Sequence, residues 1–118
     1  MRLASLTLIA LFATAVRAAE PPPLASGTQI RQAVSGNTVE GSMDASGRYT
    51  EFYAADGSVR AKDYKARWTI EGNSMCWLYE GQPKDCWQAA LKGGQIKWIR
   101  GGKVLGTGAV LKGNPNKL

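Results

Sequence analysis

Histidine is absent from all 118 residues. That removes the imidazole base on which Ser-His-Asp and Cys-His catalysis depend. Cysteine is scarce as well: Cys76 and Cys86 are the two present. Two thiols without a histidine make a poor zinc site. No basic run or arginine-rich arm occurs, which argues against nucleic acid as a partner. Long apolar runs are missing except at the start, so no segment offers the ~20 residues that a membrane-spanning helix needs. The acidic residues make no calcium-loop pattern, and Glu51, Glu71 and Glu80 are scattered rather than paired for glycoside hydrolysis. These absences point away from an enzyme, and no cofactor is expected.

What is present begins with an export signal. Arg2 precedes an apolar run from Leu3 to Val16, and Val16-Arg17-Ala18 places small residues at the −3 and −1 positions. Cleavage after Ala18 is expected, giving a periplasmic or secreted protein. Residues 1–18 are read as the signal, 19–25 as a linker containing Pro21-Pro22-Pro23, and 26–118 as one domain. Without Arg2 and Arg17 the chain keeps thirteen basic against nine acidic side chains. That balance suits an anionic glycan or an acidic protein as an envelope partner. In an oxidising compartment, Cys76 and Cys86 are expected to form a disulfide.

Ser26-Gly27-Thr28-Gln29 reads as a capping box, followed by Ile30, Ala33 and Val34 on one helical face. A short helix over about 27–35 is too short to stand alone and must pack on something. After Gly36 the punctuation changes to Asp56-Gly57, Gly72-Asn73, Gly93-Gly94 and Gly101-Gly102, each suited to a two-residue hairpin turn. The intervening β-branched and aromatic segments give strands at about 37–43, 48–55, 58–63, 66–71, 74–80, 85–92, 95–100 and 103–111. The expected fold is all-β: a small antiparallel meander barrel of about eight strands, lipocalin-like, with one short N-terminal helix and one disulfide.

Register follows from the turns. Ile70 should face Met75, Trp68 face Trp77, Ala89 face Trp98 and Trp98 face Leu105, with Cys76 opposite Cys86 on the outer face. A two-residue turn at Asp56-Gly57 would put Phe52, Ala54, Val59 and Ala61 inside. It would leave Glu51 against Lys62 and Tyr53 against Arg60 outside. A bulge or bend over residues 63–65 is then needed to restore the inward face. The four tryptophans are expected to fill the interior; the alternative is a lined pocket, since eight strands enclose space for side chains or one small ligand.

Strand direction sorts the loops into two ends. The helix should plug the end carrying the turns at 56–57, 72–73 and 93–94. The other end gathers Arg48, Lys62, Lys65, Lys84, Arg100 and Lys103 near Tyr64, Tyr79, Asp85 and Trp87. Barrel mouths favour ligands, so Tyr64, Tyr79, Asp85, Trp87, Arg100 and Lys103 are the candidate binding residues. A simpler reading of the same residues is a solvated rim held by an Asp85–Arg100 pair.

Gly36-Asn37-Thr38, the segment Tyr49 to Gly57, Trp68, the Cys76/Cys86 pair with Trp87, and the tail Gly113-Asn114-Pro115 carry a resemblance. From Gly36 onward the chain resembles a family of small exported proteobacterial proteins, domain of unknown function nine-nine-five. The resemblance implies export and a small β fold and brings no catalytic residues. At the level of fold alone, the barrel with a disulfide is similar to lipocalins and periplasmic lysozyme inhibitors. The leading expectation is a binding or interaction module using a basic, aromatic mouth. The alternative is a carrier of a small apolar or sugar-like ligand in a tryptophan-lined interior.

Overall fold

Turns, most of them containing or ending on glycine, fold this chain back on itself from Asn37 to Leu111. The computed structural model describes residues 7–13 and 23–118. The expected cleavage site after Ala18 and most of the linker lie outside the described residues. Residues 7–13 form neither helix nor strand, and Leu8, Ile9, Leu11 and Phe12 are exposed there.

Helix α1 spans Gly27–Val34. The capping box forms as expected: Gln29 N–H donates to Ser26 Oγ at 3.2 Å, and Ser26 N–H donates to Gln29 Oε1 at 2.9 Å. Eight strands follow: β1 Asn37–Met43, β2 Gly47–Tyr53, β3 Ser58–Arg60, β4 Lys65–Glu71, β5 Ser74–Tyr79, β6 Asp85–Lys92, β7 Gln95–Arg100 and β8 Lys103–Leu111. Each pairs antiparallel with the next, and β8 pairs with β1, closing the barrel. Every strand thus has a neighbour on both sides, although β2 and β3 pair only through Phe52–Arg60 and Tyr53–Val59.

The hairpins β4–β5, β5–β6 and β6–β7 have the expected registers, with Trp68 opposite Trp77, Cys76 opposite Cys86 and Ala89 opposite Trp98. Cys76 and Cys86 are disulfide-bonded. Alternation along these strands puts Trp68, Met75, Trp77, Ala89, Ile96 and Trp98 in one buried cluster.

Two registers differ from expectation. At Asp56-Gly57 the turn is one residue longer. Gly57 N–H donates to the Ala54 carbonyl at 3.0 Å, and Ala54 N–H donates to the Ser58 carbonyl at 2.9 Å. Gly57 adopts φ 91°, a left-handed conformation that glycine tolerates, which is how a three-residue loop closes a hairpin. Asp56 Oδ1 accepts from Ser58 N–H and Oγ–H at 2.9 and 2.7 Å, fixing the turn. Tyr53 therefore faces Val59, and Phe52 faces Arg60. A slip of one residue exchanges the two faces of a strand. Tyr53 and Glu51 become buried, while Phe52 lies under the Arg60 guanidinium at 5.9 Å.

The inward positions of β3 and β4 now connect through a bend at residues 62–63, with no bulge, and β3 ends at Arg60. The bulge occurs elsewhere. Between β7 and β8, Ile99 faces Val104 but Trp98 faces Gly106, so Leu105 is extra and does not pair with Trp98.

Helix α1 stoppers one end. Gly27 N–H donates to Asn73 Oδ1 in the β4–β5 turn, Ile30 and Val34 are fully buried, and Arg31 lies 5.3 Å from the Trp68 ring. The tail joins the same region: Thr38 Oγ1 donates to the Gly113 carbonyl at 2.8 Å, and Gly113 N–H donates to Asn37 Oδ1 at 2.9 Å. Among the described residues no helix is long and apolar enough to cross a membrane.

Candidate functional site

The unstoppered end opens into a cavity of about 720 Å³. Its walls come from alternation on the inward faces. Strand β2 sends in Tyr49, Glu51 and Tyr53, β5 sends in Trp77 and Tyr79, β6 sends in Asp85 and Trp87, and β7 sends in Trp98 and Arg100. Tyr64 stands at the lip, 43% exposed. All four tyrosines of the chain and three of its four tryptophans line this one space. The expected filling of the interior by tryptophan holds for Trp68, Trp77 and Trp98, which are buried in the core, whereas Trp87 is only partly buried and the space beside it stays open.

At the wall of the cavity lies Glu51, 3% exposed. Three phenols donate to it: Tyr53 to Oε1 at 2.8 Å, Tyr64 to Oε2 at 2.7 Å and Tyr79 to Oε2 at 3.0 Å. Hydrogen bonds to a charged acceptor are stronger than neutral ones, so three of them offset much of the cost of burying the carboxylate. The described residues form two salt bridges, Lys84–Glu71 and Arg100–Asp85, and neither involves Glu51. Glu51 is thus a buried carboxylate held by phenols, without a cationic partner among the described residues.

The phenols titrate accordingly. Burial, reinforced by the negative charge of Glu51, pushes Tyr53, Tyr64 and Tyr79 well above the ordinary phenol value. Tyr49 rises to about 12, chiefly through burial, with the Trp98 hydrogen bond pulling the other way. Tyr49 Oη accepts from Trp98 Nε1 at 2.8 Å and donates to the Thr107 carbonyl at 3.0 Å. Gly108 makes room for it: a Cβ there would fall 2.5 Å from the Tyr49 hydroxyl and 2.6 Å from Val39 Cγ1.

The aromatic rings form a continuous edge-to-face row from the packed end to the cavity. Trp68 and Tyr53 lie 6.2 Å apart, Tyr53 and Trp77 6.1 Å, and Trp77 and Trp98 5.1 Å. The Nε1–H of Trp68 is satisfied by the Ala54 carbonyl at 2.9 Å. That of Trp77 is buried and meets no acceptor at full hydrogen-bond geometry among the described residues, but it lies close enough to the Tyr53 hydroxyl to oppose the raising effect of Glu51 there.

Of the residues expected to form the site, Tyr64, Tyr79, Asp85, Trp87 and Arg100 all line the cavity. Lys103, across the Gly101-Gly102 turn from Arg100, is exposed and takes no part in the lining. Arg100 is committed to the rim. It is ion-paired with Asp85, donates to the Cys86 carbonyl at 2.9 Å and lies 3.6 Å from the centre of the Trp87 ring. Trp87 Nε1–H donates to the other Asp85 oxygen at 3.0 Å. Lys84 reaches Glu71 on the outer surface at 2.8 Å. The lining carries three carboxylates, Asp44, Glu51 and Asp85, against two guanidiniums, Arg48 and Arg100. The cations gathered at this end thus do not make the cavity itself basic.

Tyr49, Glu51 and Tyr53 were not expected in the site. Their i, i+2, i+4 spacing on one strand is the signal for a shared face. Glu71 with Cys76 and Cys86 groups three ligand-type side chains, but the disulfide engages both thiols.

Compared with known proteins, the chain matches no family model, no curated protein and no solved structure.

Proposed function

We propose that this protein is an exported barrel that binds a small ligand in the aromatic cavity at its open end. The observation that carries this reading is the concentration of every tyrosine and three of the four tryptophans around one open space of about 720 Å³. Aromatic residues in a small barrel would otherwise close the core, as Trp68 does. A cavity of this size, with few polar groups among apolar rings, has the character of small-molecule sites.

The other reading, a surface module capturing an anionic glycan or acidic protein through a basic mouth, draws on the positive charge of the chain. It has less support at the cavity, where Arg100 is held by Asp85 and carboxylates outnumber guanidiniums. Binding is preferred to catalysis because Glu51 and Asp85 each already hold protein donors. Export draws on the N-terminal apolar run and the disulfide.

Native mass spectrometry of protein purified from the envelope fraction tests the reading. The expected result is a co-purifying small molecule that quenches or shifts tryptophan fluorescence on rebinding. A Trp87→Ala variant that retains the same ligand with unchanged affinity would count against the cavity.

A further inference from the structure

The chemistry of the cavity narrows the class of ligand. Four observations bear on it together. Glu51 is buried and has no cationic partner among the described residues. Its carboxylate lies behind Tyr64 and Tyr79, which stand edge to face at 5.9 Å. Trp77, Trp87 and Trp98 provide further rings around the same space. The cations nearest the opening are spoken for or peripheral: Arg100 is paired with Asp85, and Arg48 is exposed at the lip.

A buried negative charge bordered by aromatic rings attracts a positive one in two ways. The faces of Trp and Tyr rings carry negative potential toward a cation within about 6 Å. The carboxylate adds Coulomb attraction that water screens less in a recessed site. An anion would meet the opposite of both. A neutral ligand would gain the apolar contact but leave Glu51 without a counter-charge.

Resting on the cavity-binding reading above, we propose that the ligand is an organic cation whose ammonium group, preferably alkylated, sits among Tyr64, Tyr79 and Trp77 against Glu51. An ammonium head is much smaller than the cavity, so the remainder of the molecule extends past Trp87 toward the lip. Three phenol donors already occupy the Glu51 oxygens, which favours an alkylated ammonium held by charge and ring faces over one that must donate several hydrogen bonds.

Three probes of nearly equal shape test this on the intact, oxidised chain: choline, its neutral carbon analogue 3,3-dimethylbutan-1-ol, and the anion 3,3-dimethylbutanoate. Titration calorimetry and tryptophan fluorescence give the affinities. Choline should bind roughly tenfold or more tighter than the alcohol, and the carboxylate weakest. In Glu51→Gln the choline-to-alcohol ratio should fall toward one while the alcohol's own affinity holds. Equal or tighter binding of the alcohol overturns the cation assignment and leaves cavity binding standing. Tightest binding of the carboxylate overturns it in favour of a basic mouth. If none of the three binds at millimolar concentration the cation assignment fails, and the cavity reading is then decided by the native mass spectrometry above, where absence of any co-purifying molecule counts against it. The wild-type series decides the matter even if Glu51→Gln does not fold.

Discussion

At the stoppered end, Ile30 and Val34 of α1 join Val59, Met75 and Trp68 in a buried cluster, whereas around the opposite opening Tyr49, Tyr64, Tyr79 and Trp87 border unfilled space. Both regions are rich in large side chains, so the contrast is not one of apolar content. It lies in what the side chains do with their polar atoms. Trp68 gives its N–H to a backbone carbonyl and is finished. Tyr53, Tyr64 and Tyr79 give theirs to Glu51, which keeps a charge inside the barrel. One end uses aromatic bulk for stability, and the other uses aromatic rings as walls.

The sharpest way to separate the two ends is to damage the stoppered one. Ile30→Ala deletes a fully buried side chain and should lower unfolding free energy by about 2–5 kcal/mol, read by urea denaturation. Ligand affinity measured well below the new transition should hold. A loss under about 1 kcal/mol would show that α1 is not a load on the core.

At the open end the pattern should reverse. Tyr64→Phe removes one of three donors from Glu51 at a partly exposed position, so the stability loss should stay within about 1.5 kcal/mol. Ligand affinity should change by more than the stability does. A variant that melts much earlier, yet binds as before, would erase the distinction between the ends.

The smallest effect at neutral pH should appear only in alkali. All four phenols sit above the ordinary value of 10.0 in the folded protein, Tyr49 at about 12. The folded state therefore holds protons that the unfolded chain releases, so stability is undiminished below pH 10 and falls as pH rises through about 12. Phenolate absorbance should lag in native protein and appear near 10 in urea. A native chain with tyrosines titrating near 10 would contradict the buried network.

Much of this was legible before any coordinates. The capping box at Ser26 and Gln29, the turn pairs at 72–73 and 93–94, and the opposition of Cys76 and Cys86 follow from local chemistry. So does the division of the loops between two ends, which brought Tyr64, Tyr79, Asp85, Trp87 and Arg100 to one mouth. Glu51 was not legible. Asp56-Gly57 fits a two-residue and a three-residue loop equally well, and the polarity of Phe52 against Tyr53 and Glu51 favours the former.

Sequence alone determined the strands, most of their pairings and the stoppered end, because turn residues and alternation act over a few neighbours. The tertiary structure decided which face of β2 looks inward. That choice depends on partners far along the chain: Trp68 and Trp77, already fixed inside by their own hairpin, receive Tyr53 between them, and Tyr64 and Tyr79 supply the donors that allow Glu51 to be buried. A parity of one residue at a turn is invisible locally, but it sets whether the cavity holds a phenylalanine or a charge.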